Sequence, residues 1–264
     1  VGFVTMGGFT VDEVGAAKTG RLWLRGGFPR AFLAASEAQG LSWREHLIQT
    51  YLERDLPQLE VRAPAVTMRR FWTMVAHAHG QRWNGAEIAA SLGFSHPMAR
   101  RYLDVLAGTY MVRQLQPWFL NLGKRTVKAP KVYLRDTGLL HALLGIASRD
   151  DLESHPKLGA SWEGFALEQI LARAGDRHAY HWATHAGAEL DLLIGTETRR
   201  WGFEFKCADV PRLTRSLASA IEELRLEHAW IVHPGASSWQ VHDRATVLAL
   251  SDLDTALKHV APRA

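Results

Sequence analysis

The chain has 264 residues, 47% hydrophobic and 22% charged, a balance that excludes collagen-like, disordered and coiled-coil chains and leaves room for two domains. No apolar run approaches the roughly 18 residues that cross a bilayer, so no membrane partner is expected, and one cysteine, Cys207, excludes an internal disulfide and a cysteine-rich zinc site. The net charge of +4 is uneven: residues 1–94 carry ten Lys/Arg against eight Asp/Glu, residues 95–149 nine against two, and residues 150–264 twelve against seventeen. A basic middle suits a polyanion, whereas the acidic end has other work.

Low cysteine use and an opening without the charged and apolar regions of a secretory leader point to a cytoplasmic setting, and Val1 is expected to lie inside a longer protein. Residues Val1 to Met6 read as a short strand, followed by a Gly-Gly break and a small helix near Val11 to Ala17. The Arg25-Gly26-Gly27-Phe28-Pro29 stretch then ends an apolar run and reads as a domain edge, so residues 1–40 are expected to be a linker. A helical pattern runs from Ser42 to Pro57 through Trp43, Leu47 and Tyr51, and a second from about Pro64 carries Val66, Phe71, Met74 and Val75.

The segment 84–135 predicts a helix ending at Gly93, a second helix with Ser95 as N-cap and Pro97 in its first turn, then two strands, MVRQLQPWFL and KVYLRD. Small Ala89, Ala90 and Gly93 let the two helices cross closely, so residues 41–150 are read as a helical plus winged-helix domain. Between the strands, Asn121 to Pro130 holds Lys124, Arg125 and Lys128 and no acid. These three, with Arg100 and Arg101, are the candidate contacts to DNA phosphates, which give affinity without sequence readout. A protein-packing winged helix with a solvated basic face is the competing reading.

Residues 151–264 predict a helix from Ser161, three strands (AYHWATH, AELDLLI, WGFEFKCA), a helix from Pro211 to Leu224, strands AWIVH and VLAL, and a closing helix from Ser251. The order αβββαβ, with an extra strand and helix, defines an α/β or α+β core. A tight turn centred on Glu197 and Thr198 pairs residues whose numbers sum to 395, which sets Asp191 across from Glu204 and Glu189 across from Lys206. The apolar residues of each strand are expected to form a single buried face.

Like charges opposed on a sheet are destabilising unless a cation sits between them. Mg²⁺ or Mn²⁺ between Asp191 and Glu204 would remove the conflict, and Lys206 could then orient the attacking water or stabilise developing phosphate charge. Without the metal, mutual repulsion should raise at least one carboxyl pKa. Glu163 shares a helical stripe with Leu167 and Ile170 and so points a third carboxylate toward the apolar side. His178, His181 and His185 are close in sequence but lack the HExxH spacing of a metal helix, and no GxSxG or GxGxxG occurs.

Glu163 in a helix, Asp191 in one strand and Glu204-Phe205-Lys206 in the next resemble the PD-(D/E)XK nuclease-like pattern. The blocks LWLRGGFPRAFL, YLERDLPQL, KVYLRDTGLLHALLG, SWEGFALEQIL, GAELDLLI and FEFKCA, between residues 22 and 207, resemble in their order the C-terminal half of a prokaryotic AAA+ ATPase family. That family carries a domain of unknown function, number four thousand one hundred and forty-three. The resemblance implies a winged helix followed by a nuclease-like (restriction endonuclease-like) fold, with metal ligands at Asp191 and Glu204, a catalytic lysine at Lys206 and a supporting acid at Glu163. It also implies an upstream ATPase module, with ATP a cofactor of the full-length protein only, and leaves an oligomer open. No GxxxxGK[ST] is present in these residues, so ATP hydrolysis is not expected of them.

Overall fold

The computed structural model describes residues 6–61, 63–119, 128–196 and 198–260. The strand expected over Val1 to Met6 falls outside these residues except for Met6, which has no regular structure, and Lys124 and Arg125 also fall outside them. The chain forms two compact units, Val1–Gln114 with Val132–Phe165, and Leu115–Lys131 with Ala166–Ala264. Compactness therefore divides the chain differently from a single cut after residue 150, because Leu115–Lys131, read as part of the winged helix, groups with the C-terminal residues.

The first unit begins with short helices α1 (Val11–Val14), α2 (Thr19–Arg25) and α3 (Pro29–Phe32), so the segment expected to be a linker is largely helical. Next come α4 (Glu37–Thr50), a π-helical turn at Tyr51–Asp55, α5 (Leu56–Gln58) and α6 (Ala65–His77). The strand β1 (Gln81–Arg82) precedes α7 (Gly85–Leu92) and α8 (His96–Gly108), followed by β2 (Val112–Leu115), β3 (Lys131–Leu134), α9 (Thr137–Leu144) and α10 (Arg149–Ser154). Asn84 caps α7 through the Glu87 N–H, Gly93 ends it in the left-handed conformation that glycine adopts without strain, and Ser95 caps α8 through the Met98 N–H. The three strands form one sheet in the order β1-β3-β2, so helix, turn, helix and adjacent strands follow as expected. Phe71, Trp72 and Val75 of α6 share one core with Leu103 and Leu106 of α8 and Val132 and Leu134 of β3.

Helix α11 (Leu158–Ala174) leads into β4 (Ala179–Ala183), β5 (Glu189–Gly195), β6 (Arg200–Phe205), α12 (Arg215–Glu223) and β7 (His228–His233). This is the expected αβββαβ order. The strands β8 (Trp239–His242) and β9 (Ala245–Ala249) and helix α13 (Leu253–Val260) complete it, β8 being the strand that the sequence did not foretell. The sheet order is β4-β5-β6-β7-β9-β8, antiparallel from β4 to β6, parallel from β6 through β7 to β9, and antiparallel again at β8. The protein is thus mixed α+β, with a helical N-terminal region and a six-stranded mixed sheet.

Leu192 pairs with Phe203, Leu193 with Gly202 and Ile194 with Trp201, the register expected from the turn. The single buried face is corrected: Trp201 to Phe205 are all buried, because apolar residues cover both sides of the central strands. On one side α12 lays Leu217, Ala220 and Ile221 against Leu190, Leu193, Ala229 and Ile231. Gly202 has no side chain there because a Cβ would meet Leu226 Cδ1 at 2.6 Å and Leu190 Cδ2 at 3.2 Å.

Two histidines are sealed into the first unit. Trp23 Nε1 donates to Ser161 Oγ at 2.9 Å. That hydroxyl is 2.7 Å from His141 Nε2, and His141 Nδ1 is 2.9 Å from the Leu24 carbonyl, so the proton sits on Nδ1 and the serine donates to Nε2. His79 Nδ1 accepts from the Leu134 N–H at 3.0 Å. Burial pushes His79 down to about 3 and His141 to about 4. Both are neutral in the native state and free to protonate in the unfolded chain near 6.5, so their contribution is complete above that pH and is lost as pH falls. Each should cost about 1.4 kcal/mol per pH unit below 6.5. Urea midpoints of the first unit should therefore fall between pH 7 and pH 5, with a shallower fall in His141→Gln; equal slopes in variant and parent would show that His141 protonates without unfolding.

Candidate active site

The pairing of β4 with β5 shifts between Tyr180 and Trp182, so that Asp191 and Leu192 together face the single residue His181. Such a bulge re-aims a side chain and interrupts pairing. Beyond Leu192↔Phe203 the β5–β6 ladder has no further backbone partner for Phe205, and the Asp191 side chain takes that place: Oδ2 accepts the Phe205 N–H at 3.1 Å. The other oxygen, Oδ1, accepts from Lys131 Nζ at 2.8 Å. Asp191 is only 8% exposed and Lys131 is buried with it.

Glu204, 5% exposed, is one residue from the end of β6. Its Oε1 receives Lys206 Nζ at 2.8 Å. The Thr214 hydroxyl lies 3.1 Å from Oε2 and donates to the carboxylate. The same hydroxyl accepts the Leu217 N–H at 3.0 Å as N-cap of α12, so one threonine starts the helix and orients the carboxylate.

Lys131 is delivered by the insert that the second unit takes from the middle of the chain. Pro117 bridges His181 in parallel fashion, with the Trp118 N–H on the His181 carbonyl at 2.7 Å and the His181 N–H on the Gln116 carbonyl at 2.9 Å. The Trp118 ring meets Tyr180 edge-on at 4.9 Å. At the insert's far end, the His181 ring donates from Nε2 to the Ala129 carbonyl at 3.0 Å. Both ends are thus fixed at His181, the residue opposite the bulge.

The two carboxyls are pushed in opposite directions. Burial alone would raise Asp191, but the Lys131 ammonium, its hydrogen bond and the Phe205 N–H hold it below the usual carboxylate range. Glu204 is raised, chiefly by burial and in smaller part by the Asp191 charge, against the opposing pull of Lys206 and Thr214. The rise expected from mutual repulsion is present on Glu204, with desolvation its main cause. The conflict that called for a metal is met here by two lysine ammonium groups, one per carboxylate.

Glu163 belongs to the first unit, where it is half-buried and accepts from the Tyr133 hydroxyl at 2.6 Å. Among the described residues no group of three or more His, Cys, Asp or Glu side chains is placed to hold a metal ion, so what the second unit offers is the pair Asp191 and Glu204. Of the candidate nucleic-acid contacts, Arg100 and Arg101 are exposed on α8, and Arg100 shares its charge with Asp104 at 3.2 Å. Lys128 is exposed in the second unit's insert. The sequence reading missed Lys131, Thr214 and the bulge; Thr214 was within reach as the Thr preceding the stripe of α12, whereas nothing local marks Lys131.

A helical region with a winged-helix order, followed by a mixed sheet carrying buried carboxylate–lysine pairs, is the class that fold and site define. The chain belongs to the family Domain of unknown function (DUF8612), which matches residues 17–150, and it carries a second domain, Domain of unknown function (DUF4143), over residues 158–253. It is 51% identical over 250 residues to the uncharacterized proteins Rv2008c of Mycobacterium tuberculosis and Mb2031c of Mycobacterium bovis, covering 95% of this chain. The chain spans 56% of the length of each relative. No solved structure matches it, and no helix among the described residues is long and apolar enough to cross a membrane.

Removing one partner of a buried ion pair leaves a stranded charge, a loss of about 3–5 kcal/mol. Asp191→Asn should therefore destabilise the chain, by up to that order, because Lys131 loses the carboxylate it is buried against, which reverses the modest gain that repulsion between two acids alone would have suggested. Glu204→Gln should cost less than Asp191→Asn, since the Lys206 ammonium it gives up is half-exposed rather than buried. Chemical denaturation of the two variants checks this; an undiminished Asp191→Asn chain would show that Lys131 does not depend on it.

Proposed function

We propose that this chain is a DNA-associated region of an AAA+ ATPase-type protein and that its second unit hydrolyses phosphodiesters at a PD-(D/E)XK nuclease-like site. The observation that carries the reading is the pair of buried carboxylates, Asp191 and Glu204, on neighbouring strands with opposite pKa shifts and with Lys206 two residues beyond the second. Environments that push two acids apart in this way are characteristic of acids with a chemical task. The donor set suits magnesium or manganese, which bind through one or two carboxylates and complete their shell with substrate oxygens and water. Such an ion, held by Asp191 and Glu204, would supply Lewis acidity toward a phosphoryl oxygen.

The remaining work falls to the chain's own side chains. Thr214 fixes the Glu204 rotamer, and Phe205 N–H fixes that of Asp191. The Lys206 side chain is 42% exposed, so its ammonium can leave Glu204 for a phosphate oxygen and offset charge developing there. Arg100, Arg101 and Lys128, with Lys124 and Arg125, hold the phosphate backbone in this reading. ATP, an upstream ATPase module, oligomerisation and a cytoplasmic setting belong to the full-length protein of the proposal.

The Lys131–Asp191 pair favours a second reading, a non-enzymatic DNA-binding or regulatory region in which lysines have taken over the cation's place. Plasmid cleavage with Mg²⁺ or Mn²⁺ separates the two. The proposal expects cleavage by the parent chain and a loss of roughly a hundredfold or more in Asp191→Ala and Lys206→Ala. A folded parent chain inert with either ion favours the second reading, and equal cleavage by parent and variants would assign the activity to a contaminant.

A further inference from the structure

We propose that Lys131 is itself a residue of this site, a built-in counter-cation that competes with a divalent metal for Asp191 and sets the site's metal affinity. The inference rests on the metal-binding reading above and adds the residue that controls occupancy. Lys131 Nζ stands 2.8 Å from Oδ1, while Oδ2 is taken by the Phe205 N–H. Each oxygen keeps a second lone pair, but an ion entering at Oδ1 would sit beside the Lys131 ammonium and be repelled by it, and one entering at Oδ2 would crowd a backbone donor of the sheet. The lysine is the group that can leave, because a side chain swings away by rotation whereas the Phe205 N–H moves only with its strand.

The placement of Lys131 is built rather than incidental. The insert is tied at one end by two backbone hydrogen bonds between Gln116, Trp118 and His181, and at the other by the His181 ring on Ala129. His181 is the residue opposite the two-residue bulge that presents Asp191, so one position of β4 holds both the lysine's chain and the strand that carries its partner. The net charge of the four groups, Asp191, Glu204, Lys131 and Lys206, is zero as they stand. Withdrawing Lys131 exposes a negative charge that a metal can occupy, so loading of the site and release of the lysine are one event.

Mn²⁺ binding, followed by the loss of its free electron paramagnetic resonance signal on the full chain, tests this without recourse to cleavage. Lys131→Met should bind Mn²⁺ about tenfold or more tightly than the parent, since the competing ammonium is gone. Lys131→Arg should stay near the parent, and the double variant Lys131→Met/Asp191→Asn should lose the gain. Should Lys131→Met fail to fold, the parent alone decides: Lys131 should acylate slowly with acetic anhydride without metal and several-fold faster at saturating Mg²⁺, as read by mass spectrometry. Equal Mn²⁺ affinity in parent and Lys131→Met, or a Lys131 reactivity indifferent to Mg²⁺, overturns the competition while leaving the metal site intact. No Mn²⁺ bound by any of these chains overturns both the competition and the metal-binding reading on which it rests.

Discussion

A carboxylate taken out of water must be given a cation or a proton, and the organisation of the second unit turns on how Asp191 is satisfied. The bulge opposite His181 turns its side chain into the space where the β5–β6 ladder stops. There it receives a backbone donor from β6 and an ammonium from an insert sixty residues earlier in the chain. Burial is the largest single influence on Asp191 and raises it, but Lys131, the Phe205 N–H and Lys206 together outweigh it. Glu204, facing a half-exposed lysine instead of a buried one, does not reach that balance, and its proton affinity rises. Two acids of similar chemistry thus acquire different characters from the exposure of their partners.

The same ion pair gives meaning to the grouping of Leu115–Lys131 with the C-terminal residues. Read locally, KVYLRD is the second strand of a winged helix, and β3 does lie in that sheet. Its first residue also serves as the counter-ion of Asp191. One short strand therefore carries two obligations, a core position at Val132 for the first unit and a charge at Lys131 for the second.

Much of this was legible in the sequence where the governing interaction is local. The helix ends at Gly93 and Ser95 follow from a glycine's left-handed backbone and a capping hydroxyl close in the chain, and the 395 register of β5 and β6 follows from the length of their turn. The expected pairs of Asp191 with Glu204 and of Glu189 with Lys206 lie beyond the last pair of that ladder, Leu192 with Phe203, and the bulge turns Asp191 onto the Phe205 N–H instead. What could not be read is what crosses long stretches of chain. Lys131 meets Asp191 across sixty residues, and the bulge depends on how β4 seats against β5, where the sequence shows only two adjacent apolar runs. The expectation of one buried sheet face failed for a related reason: in a parallel centre, layers on both sides remove the polar alternation that a one-sided sheet would keep.

The central claim is that Asp191 is held ionised by Lys131 while Glu204 is left with a raised proton affinity. Carboxyl-carbon NMR titration of the chain, with Asp191 and Glu204 assigned by substitution, measures this directly. Asp191 should titrate below the roughly 3.9 of a free aspartate and Glu204 above the roughly 4.3 of a free glutamate. Ordinary midpoints for both, or an Asp191 midpoint above that of Glu204, would contradict the account.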